Sequence, residues 1–198
     1  MASARPRAVV FDLDEALLDR RRAWQYALEE AVIGVTGRRV DSAPLVDEYL
    51  RRPGSHVLAI VVDDRDHASR CQALCAELFQ RSAMKRLLVH DGIGMALDRL
   101  RGERIEMGAV SREPHAVALK QAESTGLDRF LAVLAPTPPG AAWEPATRFA
   151  DCLAYLGRDP AEAAFVSPDT DDRAGVEGTG AGVFATVAEV WGAISRKR

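Results

Sequence analysis

Two carboxylates pose the first chemical question in this sequence: Asp12 and Asp14, in VVFDLDEALLD, stand two positions apart at the end of a short apolar run. Such a pair has the parts for phosphoryl transfer. The first acid attacks phosphorus and becomes an aspartyl phosphate, while the second protonates the leaving group and then activates water. The spacing separates the two roles, because the first acid stays at the strand terminus and the second, in the turn, reaches the leaving-group side. The competing description is a solvated, idle acidic loop, and for an Asp-x-Asp pair alone the two stand level. Elsewhere, Ser111 and Arg112 follow another apolar run, and SPDTDD at 167–172 gathers further acids.

The elements that must position these residues are legible as alternating patterns. RAVVF at 7–11 is β-branched and aromatic and breaks into acids, which suits a buried parallel strand ending in a loop. RIEMGAV ends at Ser111, RFLAVLA ends in the turn-rich PTPPG, EAAFV ends in SPDTDD, and GAGVFATV follows a glycine-rich turn. Helical patterns lie between them at 93–101, 113–125 and 144–157. This alternation predicts an α/β fold, a Rossmann-like parallel sheet with helices on both faces. In such sheets ligands bind at the carboxyl ends of strands, near the topological switch point. Asp12, Ser111, the 135–140 loop and the 167–172 loop all fall at predicted strand ends, so four separated segments are expected to meet.

Residues 20–88 break the alternation with three stretches of mixed three- and four-residue apolar spacing. They predict a small all-helical cap inserted after the first strand. The core domain is then 1–19 with 89–198, and the cap domain 20–88. The insertion is far longer than the roughly 2 to 6 residues usual for βα loops, and inserted lobes of this kind often cover a site.

On VVFDLDEALLD, HDGIGMALDRLRGERIEMGAVSREP, GLDRF and LGRDPAEAAFV, the chain resembles the haloacid dehalogenase-like (HAD) hydrolase superfamily, in the phosphatase branch with a helical cap, similar to phosphoglycolate phosphatase. The resemblance covers nearly the whole chain. It implies Asp12 as nucleophile, Asp14 as acid and base, and Ser111 as the hydroxyl that hydrogen-bonds the transferring phosphoryl group, with Arg112 beside it toward substrate. It also implies Mg²⁺, which Asp12, the backbone carbonyl of Asp14, and Asp172 would here hold only weakly, if it is not lost. The implied substrate is a small phosphorylated metabolite.

The chain departs from that pattern at several places. Glu15 and Ala16 stand where glycine and threonine are usual. Glu144 stands where the third motif has a lysine before proline; Arg112, Lys120 and Arg148 are candidate replacements. In the fourth motif Ser167 and Pro168 take the places of glycine and aspartate, which removes an acidic metal ligand. Asp169 and Asp171 lack the family spacing and are expected to be solvated. Loss of one preorganised charge contact typically costs on the order of 10² to 10³ in rate, so the expected phosphatase is weak. A catalytically inactive relative that binds a phosphorylated metabolite or a protein partner is the alternative. Metal-free dehalogenation of 2-haloacids fits less well, since it calls for a non-acidic residue at 14 and a retained lysine.

Composition narrows the partners. With a formal charge of −3, interspersed signs and 47% hydrophobic residues, the chain lacks the basic tract of a nucleic-acid binder. Its apolar runs are far shorter than the roughly 18 to 20 residues of a membrane span, and MASARPRAVVF does not read as a signal peptide. A cytoplasmic protein is expected. Cys71, Cys75 and Cys152 read as buried reduced thiols. Arg20, Arg21, Arg22, Arg51 and Arg52 offer cations in the cap, although charge runs are commonly solvated faces. The four histidines show no metal-ligand spacing, and the terminal SRKR reads as a frayed end.

Overall fold

The structure, a computed structural model, describes residues 5–51, 54–62, 64–135 and 142–195, with the side chain of residue 51 left aside. The PTPPG loop, Arg52 and the last three residues of SRKR therefore lie outside the described residues. The chain divides into two compact units, one from 1–18 with 89–198 and one from 19–88.

The first unit is an α/β sandwich. Five strands, β1 (Ala8–Asp12), β4 (Glu106–Val110), β5 (Val133–Leu134), β6 (Ala163–Val166) and β7 (Gly182–Phe184), form one sheet in the order β5-β4-β1-β6-β7. Every pairing is parallel. The helices are α5 (Ile93–Gly102), α6 (His115–Thr125), α7 (Pro145–Leu156), α8 (Thr170–Glu177) and α9 (Val187–Ser195). Two-residue strands β2 (Leu18–Asp19) and β3 (Leu88–Val89) form a separate ladder.

Side-chain alternation along β1 explains why its run is apolar throughout. Val9 and Phe11 join Met107, Ala109 and Val166 in a core with Leu97, Leu100, Ala118 and Val190 on one face. Ala8 and Val10 join Phe165 with Phe149, Cys152 and Val176 on the other. A strand covered on both faces has no side to leave polar. Gly108 lets α7 lie close to β4: a Cβ there would sit 2.5 Å from the Cys152 sulfur. Helix α7 then stops at Gly157, whose φ of 65° is open to glycine at little cost.

Register sets the functional edge. Asp12 pairs with Val110 and Phe11 with Val166, so the residues after β4 and β6 emerge on either side of Asp12. A five-residue π-helical turn (Leu13–Leu17) begins there, with Asp12 as its cap.

The second unit is helical: α1 (Arg21–Thr36), α2 (Ala43–Arg51), α3 (Ser55–Leu58) and α4 (Arg65–Arg81). Trp24 stacks on Phe79 at 3.9 Å between centroids and meets Tyr49 at 5.2 Å. Cys71 and Cys75 are buried in this unit and Cys152 in the first, all as free thiols. Of the cap arginines, Arg20 is buried, Arg21 pairs with Asp47, and Arg22 lines a cavity with Tyr26 and Arg86. The apolar pattern running from 66 to 88 does not form one helix. Helix α4 ends at Arg81, Ser82 takes a non-helical conformation, and a 3₁₀ turn follows at Ala83–Arg86. Among the described residues no helix is long and apolar enough to cross a membrane.

Candidate active site

Three loop beginnings converge at the carboxyl edge of the sheet. Asp12 closes β1, Ser111 and Arg112 follow β4, and Ser167 follows β6. Asp12, Ser111 and Ser167 are at most 1% exposed, Asp14 is 2% and Asp172 3%. So many buried polar groups require mutual hydrogen bonds.

The Asp12 carboxylate has donors on both oxygens. Oδ1 accepts the backbone N–H of Asp14 at 3.0 Å and of Glu15 at 3.2 Å. These amides are freed by the π-helical turn, which makes Asp12 its own loop's cap. Oδ2 accepts Nη1 of Arg112 at 3.2 Å and the Ser167 hydroxyl at 3.2 Å. Asp14 is held by the loop after β4: its Oδ2 accepts the Ser111 hydroxyl at 2.9 Å and the Arg112 backbone N–H at 2.7 Å. The Ser111 oxygen in turn accepts the Glu113 N–H at 3.0 Å. Here the Ser111 hydroxyl therefore donates to Asp14.

Asp172 enters from the first turn of α8, whose amides at 171 and 172 are capped by Asp169. Its Oδ2 accepts Nη2 of Arg112 at 2.8 Å, and its Oδ1 accepts the indole N–H of Trp143 at 2.8 Å. The ring of Trp143 also lies under the Arg112 guanidinium, 4.6 Å from its carbon to the ring centroid, within cation–π range.

Electrostatics follow from this crowding. Burial comes first in pushing the Asp12 carboxyl up to about 8, followed by the charge of Asp14; Arg112 opposes the rise, and Asp172 and Glu15 add to it. For Arg112, burial works against the charge, but Asp12, Asp172 and Asp14 outweigh it and hold the guanidinium protonated beyond its ordinary range.

Of the three candidate cations, Arg112 meets Asp12. Lys120 is exposed on α6, and Arg148 pairs with Asp151 at 3.0 Å along its own helix. Glu144 is exposed at the start of α7 and accepts the Thr147 hydroxyl at 3.1 Å. Pro168 is exposed as well. Asp169 lies 3.6 Å from Arg112 as an ion pair, so it is engaged as well as half-buried, and Asp171 is exposed.

The Mg²⁺ site expected from Asp12, Asp14 and Asp172 does not fit this arrangement. Mg²⁺ takes near-octahedral oxygen ligation at about 2.0–2.1 Å, whereas all four carboxylate oxygens of Asp12 and Asp172 face N–H or O–H donors. Among the described residues no group of three or more His, Cys, Asp or Glu is placed to hold an ion. The physical reason is a cation from the chain itself: the guanidinium lies between the two acids.

Trp143 and the Ser167 hydroxyl join the site without having been singled out by sequence. An aromatic residue before a helix carries no signal of its own, and Ser167 read only as a lost glycine. A cavity of about 440 Å³ in the same unit is bordered by Glu15, Ala16, Ile93, Pro168 and Trp191.

Neither a family model nor a curated protein matches this sequence. Solved structures do match. A HAD-like hydrolase of Streptococcus pneumoniae superposes with a TM-score of 0.74 at 15% identity, covering 95% of this chain and 98% of that one. A HAD-superfamily hydrolase of subfamily IA, variant 1, from Geobacter sulfurreducens gives 0.78 at 18% identity, covering 96% and 97%. A predicted phosphoglycolate phosphatase from Haemophilus somnus gives 0.73 at 14%, covering 96% and 98%. At such identities what is shared is the architecture, and the chain has the Rossmann-like fold of the haloacid dehalogenase-like hydrolases.

Proposed function

We propose that this chain is a HAD-type phosphohydrolase that acts on a small phosphate monoester at Asp12. The observation that carries this reading is the convergence of Asp12, Asp14 and Arg112 at the sheet edge. An oxygen of the Asp12 carboxylate attacks phosphorus, the ester oxygen leaves with the proton of Asp14, and an aspartyl phosphate remains. Water then attacks phosphorus and gives its proton to Asp14, releasing inorganic phosphate and restoring both acids. Arg112 attracts the phosphoryl oxygens, and the cavity bordered by Glu15, Ala16 and Pro168 offers space for the carbon part of the ester. The Haemophilus somnus neighbour, named for phosphoglycolate, supports a small phosphorylated substrate.

The test is turnover of a panel of phosphate esters, with mass detection of an acid-stable phosphate on Asp12. The adduct and the activity are expected to vanish together in Asp12→Asn, and absence of turnover across the panel overturns the reading.

A second reading, binding of a phosphorylated metabolite without turnover, is favoured by one observation: the Asp12 oxygen beside Arg112 is already engaged by both Arg112 and Ser167. It predicts phosphate-dependent stabilisation that Asp12→Asn leaves in place.

A further inference from the structure

Arg112 makes a fork between two acids delivered by different elements. Nη1 reaches Asp12 at the end of β1 and Nη2 reaches Asp172 in the first turn of α8, with Asp169 at 3.6 Å from the same nitrogen. The guanidinium is also fixed from one side by the face of Trp143, whose N–H holds the second acid. Its side chain remains 31% exposed. Five N–H groups on a planar, permanently charged head are more than two carboxylate contacts consume. The remainder can face an incoming oxyanion.

This is the place where two facing carboxylates would otherwise share a divalent cation. One positive charge on a tether pairs with both instead, and a proline stands at 168 where a further acidic ligand is expected. An ion of two charges could enter only by displacing a guanidinium that has three ion pairs and an aromatic face to lose.

We propose that Arg112 is the resident cation of this site: a phosphoryl-type anion binds against its guanidinium without a divalent metal, and Asp12 with Asp172 takes up a divalent ion only when Arg112 is cut back. The proposal rests on the reading of Asp12 as a phosphoryl site, but its test does not depend on turnover.

The experiment uses the full chain, stripped of metal with a chelator, and titrates Mn²⁺ by electron paramagnetic resonance and inorganic phosphate by thermal shift. Two variants are measured beside it, Arg112→Ala and the bulkier neutral Arg112→Gln, so that a folding failure in one leaves the other. The unmodified protein is expected to bind Mn²⁺ no better than bulk carboxylates, and phosphate should raise its melting temperature equally with chelator and with Mg²⁺. A folded variant is expected to bind one Mn²⁺ at least about tenfold more tightly, a difference of about 1.4 kcal/mol, and to lose its response to phosphate in chelator. One tight Mn²⁺ on the unmodified protein, or folded variants with no gain in Mn²⁺ affinity, overturns the proposal. Turnover is scored separately: inactivity with the Mn²⁺ gain intact sinks the phosphohydrolase reading alone, whereas activity that requires Mg²⁺ sinks the resident-cation proposal alone.

Discussion

Trp143 and Asp172 are joined by a hydrogen bond of 2.8 Å from the indole N–H to Oδ1, across the space between the start of α7 and the first turn of α8. The bond fixes the acid that anchors one arm of Arg112. It also gives the tryptophan a role that a phenylalanine, which has no donor, could not fill.

Trp143→Phe keeps an aromatic face and removes the donor. The buried Asp172 oxygen then loses a charge-assisted bond, which typically contributes about 1.5–3 kcal/mol. A drop in urea midpoint is expected, together with weaker phosphate binding. Trp143→Ala should lose more of both, and equal stability of all three proteins would refute the account.

The raised Asp12 carboxyl gives a pH signature. Unfolded, the group titrates near 3.8; folded, near 8. Between those values the folded chain holds a proton that the unfolded chain has released, so this group's contribution to stability falls as pH rises through the window and levels off above it. Asp12→Asn has no such loss. In metal-free buffer its stability relative to the unmodified protein is expected to climb from about pH 4 to about pH 8 and then stay flat. A difference independent of pH would contradict the burial of charge at this position.

Cys75 and Cys152 are fully buried, and burial pushes both thiols up to about 12. Cys71 is raised for the same leading reason. Since the thiolate is the reactive species, a thiol reagent at about pH 8 is expected to label none of the three in the native protein and all three in denaturant. Rapid native labelling of any of them would show that its unit opens.

Gly108→Ala should press α7 away from β4, because the new methyl meets Cys152 Sγ at 2.5 Å and Leu156 Cδ1 at 3.3 Å. Overpacking of this kind costs about 1–3 kcal/mol. Cys152→Ala makes room, so the double variant is expected to be more stable than the sum of the two single losses implies. Simple additivity, read from urea denaturation, would place the strain elsewhere.

The sequence revealed the sheet more fully than the site. Strands buried on both faces must be apolar along their length, so RAVVF, GAV before Ser111 and AAFV stand out against the polar turns that end them. The two-residue strands β2 and β3 leave no comparable trace. Asp12 and Asp14 are named by their spacing, Ser111 and Asp172 by the family resemblance and Arg112 by its place beside Ser111, and the structure gathers them at one sheet edge. The direction of the Arg112 side chain is set by Asp172 and Trp143, which lie 60 and 31 positions away along the chain, so local pattern carries no record of it. For the same reason the failure of the Mg²⁺ geometry shows only in three dimensions: Pro168 marks a missing ligand, and only the fold shows what fills the space.

Ser111 and Arg112 are consecutive, and between them they hold both acids of the Asp-x-Asp pair: the hydroxyl and the amide N–H bind Asp14, and the guanidinium binds Asp12. A dipeptide that grips two groups at once ties their fates together. A shift of the 111–112 backbone therefore moves the partners of both acids at once, so neither acid can be retuned through this dipeptide alone.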